Sequence, residues 1–412
     1  MTEILKPENT EQVMETIRWA VAGKNPLEIR AGGSKQGIGR PMMDNFQLLD
    51  LTALAGINYY EPEELVLSAS AATPMVDIHA ALSERNQQLA FEPPDFSKLL
   101  GSASNVATLG GTLACNLGGP RRLQTGAARD HFLGFKAISG RGEEFKSGGR
   151  VVKNVTGFDL SKLIAGSHGT LAVVTEATVK VLPVPEKLRT VLIRWTQNNT
   201  DDHGGIRAMT DAMASAHEVS GAAHLPATLA KRSTVDLVSK AKTAITALRV
   251  EGPALSVNHR CLNLRQMLGH YGDTEELHSK NSALFWSEVR DLHHFTHDAD
   301  RHIWRISVPP SEGSNVALKI LESTNGEALY DWAGGLLWLA LDPTEGAHAE
   351  SIRQFVTEVG GYATLFRAPD NVRSVIPVFQ PLKGPLANIS KRIKEGFDPS
   401  GILNPGRMYE GT

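Results

Sequence analysis

Three glycine-rich turns in the first half of the chain constrain its fold more than any other feature. They are Ile29-Arg30-Ala31-Gly32-Gly33-Ser34-Lys35, Thr108-Leu109-Gly110-Gly111-Thr112-Leu113-Ala114-Cys115-Asn116 and Gly166-Ser167-His168-Gly169-Thr170-Leu171-Ala172-Val173-Val174-Thr175-Glu176. Each borders an apolar run of β character, and the last leads into the strand-like Ala177–Leu182. Paired glycines at strand ends let backbone N–H groups approach a ligand with no Cβ in the way, and such concave N–H clusters suit anions. One such turn is ordinary. Three in one region, all flanked by strands, imply a large phosphate-bearing cofactor lying across several loops.

A chain of 412 residues exceeds one ordinary core, so two domains are expected. The net charge of −3 gives no electrostatic reason to expect nucleic acid as a partner. The start, Met1-Thr2-Glu3-Ile4-Leu5-Lys6-Pro7, lacks the basic-then-apolar order of a secretory signal. The most apolar short run, Leu336–Leu341, is far below the roughly 18 residues of a membrane-spanning helix. The expected setting is the cytoplasm, or the face of the inner membrane through a partner. Cys115 and Cys261 are the only cysteines and are far apart. A four-thiolate iron–sulfur cluster therefore cannot be built from this chain alone.

Along the chain, Asn9 and Gln12 resemble a helix start, and Val13, Ile17, Ala20 and Val21 fall at helical spacing. Gly23-Lys24-Asn25-Pro26 ends that helix. Leu27–Arg30, Phe46–Leu51 and Leu65–Ala71 read as strands, and Asp77–Leu89 as a helix. Phe91-Glu92-Pro93-Pro94-Asp95 must be an ordered loop. A strand pair is expected around Phe135–Ser139 and Phe145–Ser147, and a linker at Leu182–Pro185. Beyond it, Asp211–Leu248 reads as helical, Arg305–Pro310 and Leu336–Leu341 as strands, and Ser351–Val359 as a helix.

Common nucleotide motifs fail. Gly37-Ile38-Gly39 is followed by Met42 where a Rossmann fingerprint needs its third glycine. Neither a P-loop nor a G-x-S-x-G elbow is present. A dinucleotide site must therefore belong to another fold.

The glycine turns, the Phe91–Asp95 loop, Lys153-Asn154-Val155-Thr156-Gly157-Phe158-Asp159-Leu160 and the closing Asn404-Pro405-Gly406-Arg407 together resemble the FAD-binding domain of the vanillyl-alcohol oxidase (p-cresol methylhydroxylase, PCMH) type. Within that superfamily the chain resembles the FAD-binding E subunits of bacterial glycolate oxidases. The match is dense over Lys6–Pro185 and thinner through Trp304–Pro310, Asp331–Gly335 and Thr364–Arg367. The resemblance implies an α+β fold: a two-part FAD domain over 1–185, an α+β cap with an antiparallel sheet over 186–380, and a segment 381–412 returning to the FAD domain.

It also implies roles. Arg30, Gly32, Gly33, Ser34 and Lys35 would wrap the FAD pyrophosphate through backbone N–H groups. Gly110, Gly111 and Thr112 would hold its other side and the ribityl chain, and Val173 and Val174 would present backbone groups to the adenine edge. Asn116, Asp130, Gly169 and Asn404 complete the implied cofactor set. Many relatives attach the flavin through a His beside the first glycine pair. Ser34 stands there, so non-covalent FAD is expected. Expected partners are a D-type flavoprotein subunit and an iron–sulfur subunit, with a small 2-hydroxy acid as the substrate of the complex. Relatives that oxidise such acids directly carry H-x-G-D-G-N-x-H, and this chain does not. Three readings stay open: a subunit of a multi-chain glycolate dehydrogenase, a self-sufficient FAD oxidoreductase, and a non-catalytic assembly subunit.

Two further clusters stand out. Between residues 121 and 153, eight basic side chains oppose three acidic ones, which reads as a solvated face or, alternatively, a cofactor-phosphate or partner contact. His293, His294, His297, Asp298 and His302 offer i,i+4 pairs of metal-ligating type, although no ligand motif elsewhere matches them and no metal is expected. Trp286, Trp332 and Trp338 read as core.

Overall fold

The computed structural model describes residues 4–42, 45–150, 157–195 and 202–411. Lys153, Asn154, Val155 and Thr156 of the fourth sequence motif lie outside these residues. The chain forms two compact units, one comprising 1–118, 126–184 and 373–412, the other 119–125 and 185–372.

Among the described residues the first unit holds two main sheets and a short two-stranded pairing. In one, the strands Ile4–Leu5, Gln47–Asp50 and Leu27–Arg30 run parallel in that spatial order. Helix Thr10–Gly23 covers this sheet with Val13, Ile17 and Ala20, all fully buried. Asn9 caps the helix by accepting from the Gln12 N–H at 3.0 Å. Lys24 closes it in a left-handed conformation. The second sheet is antiparallel, in the order Ile57–Glu61, Val66–Ser70, Ala172–Lys180, Phe132–Ser139, Glu144–Gly148. Its core includes Leu67, Phe91, Phe132, Phe135 and Val179. Helix Met75–Ser83 is shorter than the periodicity through Leu89 suggests, because Gln87–Gln88 pairs as a strand with Leu182–Pro183.

The chain's last residues are tied into this unit. Leu27 N–H donates to the Ile402 carbonyl at 2.8 Å, and Asn404 N–H donates to the Leu27 carbonyl at 3.0 Å. Helix Pro385–Phe397 presents Lys394, whose buried ammonium donates to Asp398 at 2.7 Å, the Thr170 carbonyl at 2.7 Å and the Leu403 carbonyl at 3.0 Å. A buried ammonium survives only when such partners replace water.

The second unit is built on one antiparallel sheet of eight strands among the described residues. Their order is Asp273–His278, Lys187–Arg194, Ile245–Gly252, Gly221–Leu225, Gly326–Asp331, Leu336–Leu341, His302–Ser307, Tyr362–Arg367. The stretch Asp211–Leu248 is not one helical region. A helix ends at Ala214, and Gly221–Leu225 and Ile245–Gly252 are strands joined through two short helices. Every residue of Gly221–Leu225 is buried. A central strand covered on both faces takes small and apolar residues without alternation, and burial overrides the helix preference of alanine. The fold is α+β.

Candidate functional site: a glycine-built cleft in the first unit

The first glycine turn follows directly from the edge of strand Leu27–Arg30, where the parallel sheet ends. Gly32 lies so close to the neighbouring loop that a Cβ would sit 1.5 Å from the Val106 carbonyl oxygen. Gly33 adopts φ +76°, a region most L residues avoid. The second turn differs from its sequence reading. It does not join two strands but opens helix Leu109–Ala114, with Thr108 accepting from the Gly111 N–H at 3.3 Å. A Cβ on Gly110 would meet Ala71 at 2.8 Å. Glycine at this helix start therefore permits close packing against the strand end. The third turn carries His168 and Gly169 at φ +53° and +72° before entering strand Ala172–Lys180.

These turns converge on one cleft. Arg30, Gly32, Gly33, Ser34, Lys35, Gly110, Gly111, Gly169, Val174 and Asn404 all line it. Four residues of the implied cofactor set do not. Thr112 is buried inside its helix with its hydroxyl unpaired. Asn116 accepts from the Arg129 N–H at 3.0 Å, and Asp130 accepts from the Ala127 N–H at 2.9 Å, both local loop contacts. Val173 points into the core beside Ile138, Ile402 and Leu403, because alternate residues of a strand face opposite ways; only its neighbour Val174 reaches the cleft.

Asn404 binds the first and third turns together. Its Oδ1 accepts from the Ile29 N–H and its Nδ2 donates to the His168 carbonyl, each at 2.8 Å. Arg407 donates to the Lys35 carbonyl at 2.9 Å. The closing sequence motif thus braces the cleft from the far end of the chain. Cys115, His168 and Arg407 were not among the residues the sequence assigned to the cofactor, yet all three line the cleft. His168 and Arg407 lie inside motifs already recognised, so their motif membership was the available signal.

The electrostatics favour an anion. Three cations, Arg30, Lys35 and Arg407, line the cleft against one carboxylate, Glu28. Glu28 is engaged by Arg30 at 2.9 Å. Among the described residues, neither Lys35 nor Arg407 forms an ion pair within 4.0 Å. Burial pulls the Lys35 ammonium and the Arg407 guanidinium below their ordinary values, and Cys115 partly opposes this for both. Burial pushes the Cys115 thiol up. His168 is lowered to about 3, chiefly by burial and then by Arg407, so its ring is neutral near pH 7. Its Nδ1 lies 3.6 Å from the Cys115 sulfur. Unneutralised cations beside Cβ-free backbone fit a pyrophosphate, and the apolar lining from Ile29, Leu51, Ile164 and Ala172 fits the flat remainder of a dinucleotide. The residues present fit FAD.

Residues 2–148 match the FAD binding domain family. Over 400 residues the chain is 33% identical to glycolate oxidase subunit GlcE of Escherichia coli K12, covering 97% of each chain. The chain belongs to the glycolate oxidase E-subunit family. It is also 26% identical to glycolate oxidase subunit GlcD of Bacillus subtilis 168, over 98% of this chain and 88% of that one. Among solved structures, p-cresol methylhydroxylase superposes with a TM-score of 0.70 at 13% identity, over 98% of this chain and 88% of that one. That likeness concerns the fold, which is of the PCMH type. This E-subunit family member is therefore an FAD-linked oxidoreductase subunit, and its relatives are parts of a multi-subunit enzyme.

The remaining sequence candidates separate. Arg121 is not on a solvated face: it is buried and paired with Glu251. His293 and His294 sit in a 3-10 turn, with His294 fully buried. Among the described residues no group of three or more His, Cys, Asp or Glu is placed to hold a metal. Trp286, Trp332 and Trp338 are all buried. No helix among the described residues is long and apolar enough to cross a membrane.

Proposed function

We propose that this chain is the FAD-binding subunit of a multi-subunit glycolate oxidase, working with a D-type flavoprotein subunit and an iron–sulfur subunit. The carrying observation is the glycine-built, cation-lined cleft in a chain similar along its whole length to an E subunit. In this reading Gly32, Gly33, Ser34, Gly110 and Gly111 offer backbone N–H groups and open space to the pyrophosphate, while Lys35 and Arg407 supply the charge. Asn404 fixes the relative position of two of the three turns. Bound FAD supplies two-electron redox chemistry. Ser34 has a hydroxyl that is no nucleophile for a flavin methyl group, so attachment is non-covalent.

Oxidising glycolate to glyoxylate removes two electrons and two protons, and the hydroxyl proton needs a base. The H-x-G-D-G-N-x-H signature that supplies one in direct oxidases is absent from the chain. Two isolated free thiols, Cys115 and Cys261, provide no iron–sulfur cluster. Substrate oxidation and onward electron transfer therefore depend on partner chains, and the assembly sits in the cytoplasm or against the inner membrane through those partners.

The test is reconstitution. The isolated chain is expected to be yellow and to show negligible glycolate:dye activity. Adding the D-type flavoprotein and the iron–sulfur subunit should restore turnover. Full turnover by the isolated chain, or an active assembly lacking it, would overturn the reading.

A further inference from the structure

The loop that follows the first glycine turn is fastened from the far end of the chain. Residues 34–40 run as turns and bends with no helix or strand, and Ser34, Lys35 and Gln36 line the cleft. Arg407 donates to the Lys35 carbonyl at 2.9 Å and to the Gln36 carbonyl at 3.2 Å. Arg373 donates to the Gly39 carbonyl. Arg40 answers in the opposite direction. Its backbone N–H donates to the Arg407 carbonyl and its guanidinium to the Ser374 carbonyl, each at 2.9 Å.

These ties are close and mostly dry. A Cβ on Gly39 would lie 2.9 Å from the Arg407 carbonyl oxygen, so loop and closing motif meet backbone to backbone. Arg373 is only 4% exposed, and a buried guanidinium persists where hydrogen bonds replace its water. Arg40 also faces Glu410, but at 3.9 Å and with that carboxylate 88% exposed. Such a pair contributes little, and the carbonyl bond is the stronger tie. The returning segment reaches the third turn as well: the Phe379 ring lies 4.9 Å from the His168 ring and 6.2 Å from that of Tyr409. Residues 373–380 and 404–410 therefore touch two of the three turns that bound the cleft.

Charge links the ties to the cleft's contents. Burial lowers the Arg407 guanidinium first, and the like charges of Arg373 and Arg30 add to it, with Cys115 and Glu28 opposing. An anion in the cleft offsets that mutual repulsion. The ties are thus easier to hold with a pyrophosphate present than without one.

We propose that Arg373 and Arg40 are positioning residues for the flavin: they clasp the 34–40 loop to the returning segment, keep the first turn where it lines the cleft, and so set how long the cofactor stays. The inference rests on the cleft being the site of non-covalent FAD, as proposed above. A cofactor with no covalent tether is retained by its off-rate, and that rate follows the opening of the loops around it.

The test measures flavin release from the full flavin-loaded chain, as flavin recovered with time in an ultrafiltrate. Arg373→Gln should release flavin at least about tenfold faster than the wild type, the scale of a lost charge-assisted hydrogen bond. Arg373→Lys, which keeps the charge without the fork, should fall between. Arg40→Gln should speed release by a smaller factor, and it decides the matter if Arg373→Gln does not fold. Ile17→Val is the control: it trims the first unit's core outside the loop and the returning segment, so it should lower the melting temperature and leave release unchanged. By reciprocity, bound flavin should slow amide exchange across residues 373–380 of the wild type. Release from both glutamine variants at the wild-type rate, release from Ile17→Val as fast as from them, or exchange indifferent to flavin would overturn the clasp and leave the proposed function standing. A wild-type chain that carries no flavin, or keeps it through acid precipitation, counts against that function and removes the clasp with it.

Discussion

The two units place charge by opposite means. In the first, the cleft is backbone: glycines at the ends of strands and at a helix start present N–H groups, and Asn404 locks the turns together. In the second, the Arg122 and Arg305 guanidiniums lie over the Trp332 ring, 4.5 and 5.3 Å from its centroid, a cluster of side chains brought together from three separate elements. A backbone site tolerates almost no added atoms but many changes of side chain. A side-chain cluster behaves in reverse. The difference also decides where each unit is vulnerable to mutation and to acid.

The largest expected effect is at Gly32. Gly32→Ala forces a methyl group onto the Val106 carbonyl, a backbone clash that no rotamer relieves. It should destabilise the first unit by about 3 kcal/mol or more and remove the flavin, read as flavin absorbance per polypeptide together with the melting temperature. Unchanged flavin content would break the contrast drawn between backbone and side-chain construction.

Acid should act on both units. His168 in the first and His294 in the second are both held near 3, by burial above all, against an ordinary 6.5. The folded protein keeps each ring neutral, whereas the unfolded chain takes up protons below 6.5. Stability is therefore full above that value and is lost as pH falls toward 3. At pH 5 each residue should have withdrawn about 2 kcal/mol. Both His294 nitrogens are buried without partners, so His294→Leu should remove the second unit's share and flatten the slope between pH 7 and 5 by about 2 kcal/mol. An unchanged slope in thermal melts across that range would reject the buried neutral imidazole.

Legibility in the sequence follows the same division. Gly32-Gly33, Gly110-Gly111 and Gly169 could be read directly, because three glycine turns in one region, unlike one, point to a shared ligand. Asn404 and Arg407 lie far from the first turn in the chain, and only the family resemblance tied the closing motif to it. Val173 and Val174 entered the cofactor set through the family resemblance, for their backbone groups, and which of the two side chains faces the core is a matter of strand register that the resemblance did not address. Asp211–Leu248 misled because Ala222 and Ala223 are helix formers by preference but occupy a central strand. The Arg305 cluster carried no sequence signal at all. Arg122, Trp332 and Arg305 are separated by long stretches and meet only through strand order, and Arg121 and Arg122, adjacent in sequence, have different partners.

The central claim is that the first unit's cleft holds FAD non-covalently on glycine backbone, and Gly111 isolates it. A Cβ there meets only the Thr108 hydroxyl, at 3.3 Å, so Gly111→Ala should fold normally while filling space the cofactor needs. The measurement is flavin per polypeptide in wild type and Gly111→Ala, followed by acid precipitation of each. The account predicts stoichiometric flavin in the wild type, released wholly into the supernatant, and a folded variant with markedly less flavin. Flavin remaining on the precipitated polypeptide, or a variant loaded as fully as the wild type, would contradict it.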